Sequence, residues 1–288
     1  MATPIPTPET MAARLSEGIG HLSSGALGAA FPKQLADINN GVQRYLLEHT
    51  RLGIPAMLHA EALNGFTAPE YTSFPTAIGL AATWDPDAVQ EMADTIRRQM
   101  RSVGFAQALS PVVDIARDAR WGRVHENYGE DVLLTSSMGI AYVRGIQSDD
   151  LNQWRHRYRL ALPWLRRIRR SPEHRGLRRQ WSGSLRCMRN PFRGDDQRGG
   201  ACQRNELLLR HRRGAGGPNR QILSDLLRGR MGFTGSVMSD YGTVEQLVTR
   251  QKIAATPQQA GILAPSCAAR RPSFAAMNSQ PSDPAPSC

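Results

Sequence analysis

The sequence predicts an α/β fold in which β-strands alternate with α-helices along the chain. Three short apolar segments, residues 54–58, 106–114 and 235–239, have the length and composition of strands that are covered on both faces. Acidic or basic side chains follow each of them, and residues 85–103 have the period of an amphipathic helix. Strands that alternate with helices form parallel sheets, and polar side chains at the carboxyl ends of such strands are typical of active sites.

The first elements of the chain are short, apart from one clear helix. Residues 11–18 only partly suggest a leading helix, and residues 18–23 favour a first strand. The helix of residues 85–103 begins at Asp85, which can cap it, has a proline at its first position and ends before Gly104. Its apolar side chains recur at helical spacing at Val89, Met92, Ala93, Ile96, Met100 and Val103.

A charged loop with aromatic residues follows the strand of residues 106–114. It reads DIARDARWGRVHENYGED over residues 114–131 and places five charged side chains within ten residues, at Arg117, Asp118, Arg120, Arg123 and Glu126. A charge run of this kind is typical of a solvent-exposed loop braced by salt bridges. The alternative is a functional loop at the carboxyl end of a strand.

The loop of residues 114–131 resembles the signature loop of glycoside hydrolase family 3, the β-glucosidase and β-xylosidase group. Segments similar to that family also occur, in the family's order, as RLGIPAMLHAEALNG (51–65), SFPTAIGLAATWDP (73–86) and GSVMSDYG (235–242). The resemblance implies a (β/α)8 TIM-like barrel, incomplete in this chain. It also implies retaining hydrolysis of terminal non-reducing β-D-glucosyl or β-D-xylosyl residues, on β-linked oligosaccharides or aryl or alkyl glycosides, without cofactor or metal.

The resemblance assigns roles to four residues. Asp240 matches the nucleophile, whose carboxylate attacks the anomeric carbon to form a covalent glycosyl intermediate; without the resemblance, it could equally cap the next turn. Tyr241 matches the aromatic wall of the first sugar subsite, and otherwise would be ordinary core. Glu61 and Arg123 match residues that hold sugar hydroxyls from opposite sides, where an unpaired charge would penalise a sugar lacking that hydroxyl. Asn64 departs from the family, which usually has histidine there.

Residues 153–217 differ in composition from the rest of the chain. Residues 155–213 contain eighteen arginines and four acidic residues, a net charge of +14, whereas the whole chain carries +11. Such a run is typical of a nucleic-acid-binding module or a disordered arm. We interpret it instead as frame-shifted, because codons read one nucleotide out of register recover three family landmarks in order. These are a Gly-Val-Ile-Ala-Thr strand, a histidine, and a strand bearing Asn and Tyr.

The chain is therefore divided into four parts. Residues 1–152 form the first part of the barrel, and residues 153–217 form the arginine-rich segment without native-like structure. Residues 218–263 form a later barrel portion with the nucleophile, and residues 264–288, rich in Pro, Ser and Ala, form a disordered tail. Many family members take their acid/base carboxylate from a second domain, so we assign none here and expect little or no activity.

Several other classes of function find no support in the sequence. No apolar run approaches the ~20 residues of a membrane span and no secretory leader opens the chain, from which we expect a cytoplasmic location and no membrane partner. No spacing typical of metal ligands or of a phosphate-binding loop occurs. The alternatives that stay open are a family N-acetylglucosaminidase, a non-catalytic sugar-binding remnant, and nucleic-acid binding through residues 155–213.

Overall fold

The structure is a computed structural model that describes the backbone of residues 7–23, 31–148, 161–162, 203–206, 237–239, 242, 244, 245–250, 252–268 and 274–275. Two parallel sheets occur within these ranges, one of three strands and one of four. In both sheets the strands that are neighbours in space are also neighbours in sequence. That order is the local topology of repeated β/α units.

The first sheet contains β1 (His21–Ser23), β2 (Met57–Ala60) and β3 (Gln107–Ala108). Its strands are parallel, with Ser23 opposite His59 and His59 opposite Gln107. A parallel pair needs a crossover connection, which is usually helical. The helices around these strands are α1 (Pro8–Leu15), α2 (Pro32–His49), α3 (Ala77–Ala81), α4 (Pro86–Ser102) and α5 (Val132–Gln147).

The second sheet contains β4 (Ala161–Leu162), β5 (Gln203–Glu206), β6 (Val237–Ser239) and β7 (Phe274–Ala275), all parallel. Two helices, α6 (Glu245–Thr249) and α7 (Pro257–Ala268), lie between β6 and β7 in the sequence. The predicted α/β class is therefore confirmed. The sequence PNRQILSDLLR of residues 218–228 also favours a helix, but these residues lie outside the described part of the chain.

Helix α4 confirms the most detailed of the local predictions. The side chain of Asp85 accepts a hydrogen bond from the Ala88 backbone at 3.0 Å, and Pro86 occupies the first turn. All six apolar side chains predicted for its inner face are buried. Helix α5 packs so closely against α4 that a Cβ atom on Gly145 would lie 2.2 Å from the backbone oxygen of Gln90.

The strands of the first sheet are displaced from their predicted positions. The strand expected at residues 54–58 is instead β2, at Met57–Ala60. The ladder does not begin earlier because Pro55 has no N–H to donate and Ile54 is exposed. The strand expected at residues 106–114 is paired only at β3, because Pro111 likewise offers no donor. The chain from there to Asp114 is mostly buried without being part of the sheet.

Two segments predicted to lack regular structure contain some. Strands β4 and β5 lie within residues 153–217. An arginine-rich composition does not prevent a parallel ladder, since the ladder is made by backbone groups that any residue except proline supplies. Residues 264–268 belong to α7 and residues 274–275 to β7, so the prediction of disorder does not hold there. Composition alone missed α7, whose proline at the first position and Ala- and Leu-containing sequence favour a helix.

Most of the buried hydrophobic residues in the first part of the chain belong to one cluster, and a second, smaller cluster includes Leu15, Val42 and Leu46. Leu35 and Ile38 of α2, Leu58 of β2 and Ile96 of α4 belong to one buried cluster that also includes residues of α5. This cluster packs helices α2, α4 and α5 against strand β2. No helix in the described part of the chain is long and apolar enough to cross a bilayer.

Candidate functional site

The carboxyl ends of β2 and β3 bring two polar segments to one edge of the first sheet. Glu61 follows β2 directly and is exposed, and the charged loop of residues 114–131 follows β3. The backbone N–H of Leu109 donates to the carbonyl of Ala60 at 2.9 Å, so the two segments are still joined where they leave the sheet. Because parallel strands end at the same edge, Glu61 and the loop emerge on the same side.

Arg123 is held within the loop by Glu126. Its Nε donates to both carboxylate oxygens of Glu126, at 2.9 and 2.8 Å, and its Nη2 donates to Oε2. The side chains of Arg123 and Glu126 are 32% and 17% exposed, so the pair is only partly open to solvent. A two-pronged contact of this type fixes the plane of the guanidinium group. Arg123 is therefore a cation of defined orientation.

Short local turns produce this arrangement. Two 3-10 turns, Ala119–Trp121 and Val124–Glu126, flank Gly122, whose φ of 83° a side chain would disfavour. Within the first turn Arg120 pairs with Asp118 at 2.7 Å. The loop is therefore braced by salt bridges, as its charge run indicated.

Asp114 is a buried carboxyl group beside this pair. It is 3% exposed, and burial raises its pKa to about 7, an effect that the positive charge of Arg123 opposes and the negative charge of Glu126 increases. Its Oδ1 has no hydrogen-bond partner among the described residues. Sequence reasoning treated Asp114 only as the end of a strand. An aspartate at the end of an apolar run was the signal that could have marked it as buried.

Asn64 has a structural role in the segment after β2. Its side-chain Nδ2 donates to the backbone carbonyl of Phe74 at 2.9 Å, and its backbone carbonyl accepts from the backbone N–H of Phe74 at 2.7 Å. These two bonds close the chain between residues 64 and 74. The departure from the family's histidine therefore leaves a side chain that braces residues 64–74, the segment that follows Glu61 along the chain.

His59, two residues before Glu61, is buried in β2. Burial and, to a smaller extent, the interaction with nearby His21 lower its pKa to about 4, against an opposing hydrogen bond with the Met57 backbone. The imidazole is consequently uncharged near neutral pH. The centroid of its ring lies 6.3 Å from that of His21 in the neighbouring strand β1.

Two of the predicted site residues fall outside the described residues, namely Asp240 and Tyr241. Strand β6 ends at Ser239, the residue before Asp240. Of the predicted set, the structure thus describes Glu61 and Arg123 and places them on segments that leave adjacent strands. It also adds three buried residues that the sequence did not mark as candidates, Asp114 and the hydrogen-bonded pair Ser110 and Tyr142.

The chain is similar to a family model and to several known enzymes. A model of the glycosyl hydrolase family 3 N-terminal domain matches residues 9–156. A β-xylosidase from Formosa agariphila is 35% identical over 228 residues, which cover 74% of this chain and 31% of the relative. A periplasmic β-glucosidase/β-xylosidase from Dickeya chrysanthemi is 30% identical over 242 residues, covering 73% of this chain and 36% of the relative.

A solved structure shows the same fold. It is a β-glucosidase from Erythrobacter marinus, with a TM-score of 0.71 and 24% identity, and the match covers 94% of this chain and 36% of that one. This likeness supports a TIM-barrel-like α/β architecture. The chain spans about a third of the length of the relatives that it matches. Since the family model covers more than half of the chain, the chain belongs to glycosyl hydrolase family 3.

Proposed function

We propose that this chain carries part of the active site of a retaining β-glycosidase that removes terminal non-reducing β-D-glucosyl or β-D-xylosyl residues. The observation that carries the proposal is the placement of Glu61 and Arg123 after adjacent parallel strands, with Arg123 oriented by Glu126. The names of the relatives, β-xylosidase and β-glucosidase/β-xylosidase, support this substrate class. We further propose that the barrel is incomplete in this chain.

Glu61 and Arg123 would hold the terminal sugar by complementary chemistry. A carboxylate accepts hydrogen bonds from sugar hydroxyls, and a guanidinium donates them. Bonds to charged groups are stronger than neutral ones, and a sugar that lacks the hydroxyl leaves the charge unpaired. Together the two residues would select the sugar and fix its orientation at the carboxyl edge of the sheet.

Asp240 is proposed as the nucleophile. Its carboxylate would attack the anomeric carbon, forming a new C–O bond while the glycosidic C–O bond breaks. The leaving oxygen must take a proton from a general acid, and we assign that acid to no residue of this sequence. Water would then add to the anomeric carbon, losing a proton to the conjugate base of that acid, and the bond to the Asp240 carboxylate would break, giving retention of configuration. Tyr241 would pack against the sugar ring beside it.

Without an assigned acid, turnover by this chain is proposed to be very low or absent. Protonation of the leaving group by a positioned acid contributes roughly 10²- to 10⁴-fold to a rate. The expected behaviour is that of a sugar-binding chain with little catalysis. Turnover of a β-linked glucose or xylose disaccharide, whose leaving group needs that proton, by the purified chain and its loss in the Asp240→Asn variant would contradict this proposal of impairment and support Asp240 as the nucleophile.

Sugar binding tests the site directly. We expect methyl β-D-glucoside or methyl β-D-xyloside to shift amide signals of the purified chain in an NMR titration. Glu61→Ala and Arg123→Ala should each weaken binding at least tenfold. Arg120→Ala is the matched control, since it removes an exposed arginine of the same loop and should leave the affinity unchanged. Equal affinity in all three variants would refute the assignment of Glu61 and Arg123.

A further inference from the structure

Tyr142 of α5 links the two segments that form the candidate site. The side chain is fully buried, and its hydroxyl donates to the backbone carbonyl of Ala62. The same hydroxyl lies 2.7 Å from the Oγ of Ser110. A phenol has one hydrogen to donate. Because Tyr142 gives it to Ala62, Ser110 must be the donor in the second bond.

The two partners of Tyr142 occupy informative positions. Ala62 directly follows Glu61, and Ser110 lies two residues beyond the end of β3. One buried hydroxyl therefore ties the segment after β2 to the segment after β3, from a helix that is 80 residues away in sequence from Ala62. Hydrogen bonds in a dry interior are directional, and a partner left unsatisfied there is costly.

The negative charge of the Glu61 carboxylate acts on this tyrosine. Burial is the main cause that raises the pKa of Tyr142, the hydrogen bond with Ser110 opposes that rise, and the negative charge of Glu61 increases it. The charge of Glu61 therefore acts on a hydroxyl that holds the neighbouring residue.

We propose that Tyr142 is a positioning residue for Glu61, holding the Ala62 backbone so that the Glu61 carboxylate faces the sugar hydroxyls, with Ser110 completing the contact. The inference rests on the proposed function, since it assumes that Glu61 binds sugar. Tyr142 itself does not touch the substrate. Its removal should reduce sugar affinity through Glu61 and not through general loss of structure.

A double-mutant cycle tests this coupling. In the full chain, Tyr142→Phe is expected to weaken binding of methyl β-D-glucoside about tenfold. In the Glu61→Gln background, the same change should alter the affinity less than twofold, because the group that Tyr142 positions has already lost its charge. A tenfold loss in both backgrounds would overturn the proposal, since Tyr142 would then act on the protein generally.

Two further variants separate positioning from stability. Thr135→Val also removes a buried hydroxyl from α5, one whose oxygen has no hydrogen-bond partner among the described residues, and it should leave affinity unchanged. Ser110→Ala keeps the bond from Tyr142 to Ala62 and should reduce affinity less than Tyr142→Phe does. A larger loss in Ser110→Ala, or an equal loss in Thr135→Val, would overturn the proposal.

Hydrogen exchange distinguishes failure of this inference from failure of the proposed function. If the wild-type chain binds no sugar, the proposed function fails, but the positioning contact can still be measured. The amide of Thr67 donates to the carbonyl of Glu61 at 3.4 Å and reports on this segment. Tyr142→Phe should speed its exchange at least tenfold while amides in the middle of α4 are unchanged. Unchanged exchange at Thr67 would show that Tyr142 does not hold the segment.

Discussion

Asp114→Asn is expected to remove a pH-dependent loss of stability from the folded chain. Burial raises the pKa of the Asp114 carboxyl from its usual 3.8 to about 7, with Arg123 opposing and Glu126 increasing the rise. A carboxyl with a raised pKa binds its proton more tightly in the folded state than in the unfolded state. Its protonated form therefore contributes stability that is fully present below pH 3.8 and is lost as the pH rises through 7.

The size of the effect follows from the same two values. A difference of about three pKa units corresponds to about 4 kcal/mol across the full range, at about 1.4 kcal/mol per unit. Between about pH 5 and about pH 8, linkage predicts a loss of about 3 kcal/mol for the wild type. Asparagine has nearly the same shape and does not ionise. The D114N variant should therefore be the more stable protein at pH 8, and the difference should shrink towards pH 5.

Urea unfolding at a series of pH values measures this difference, with tryptophan fluorescence and circular dichroism as signals. Glu91→Gln is the control, because it neutralises an exposed carboxylate on α4 and should follow the wild-type pH dependence. Glu126→Gln should lower the pKa of Asp114, because it removes a like charge. The loss of stability between about pH 5 and about pH 8 should therefore be smaller in this variant than in the wild type. Parallel curves for the wild type and D114N would refute the reasoning.

Two other predictions concern packing and the gene. Gly145→Ala should destabilise the chain by about 3 kcal/mol, because the new Cβ would lie 2.2 Å from the backbone oxygen of Gln90 and α4 and α5 would have to separate. Gly41→Ala in α2, where a Cβ meets nothing within 4 Å, should instead raise the melting temperature slightly, and equal effects of the two changes would contradict the packing argument. Resequencing the gene across residues 151–219 should find single-nucleotide insertions or deletions at the borders of the arginine-rich segment. An unchanged reading frame would mean that the segment is a true part of the protein.

Helix α4 shows what neighbouring residues can specify on their own. Its cap, its proline and its apolar spacing all lie within about twenty residues, and each acts through contacts one turn away. The motifs around Glu61 and Arg123 are also contiguous in sequence, which is why the family could be predicted from them. The ends of the strands could not be predicted as well from the sequence, since a ladder depends on partners that are distant in sequence.

The charged loop lies between these two cases. Its salt bridges join residues two or three positions apart, so a braced loop could be predicted from its charges alone. The particular pairing of Arg123 with Glu126 depends on a 3-10 turn that follows Gly122. Nothing in the charge sequence separates that pairing from one with Asp118.

Burial and contacts between distant residues are determined only by the tertiary structure. Asp114 has a raised pKa only because the folded chain removes it from water beside two other charges, a property that its place in the sequence does not contain. Tyr142 meets Ser110 and Ala62 across 32 and 80 residues, and its hydroxyl joins two loops whose own sequences show no sign of the contact. Local order thus follows from interactions within a turn or a motif, whereas the shape and charge of the site follow from which distant segments pack together.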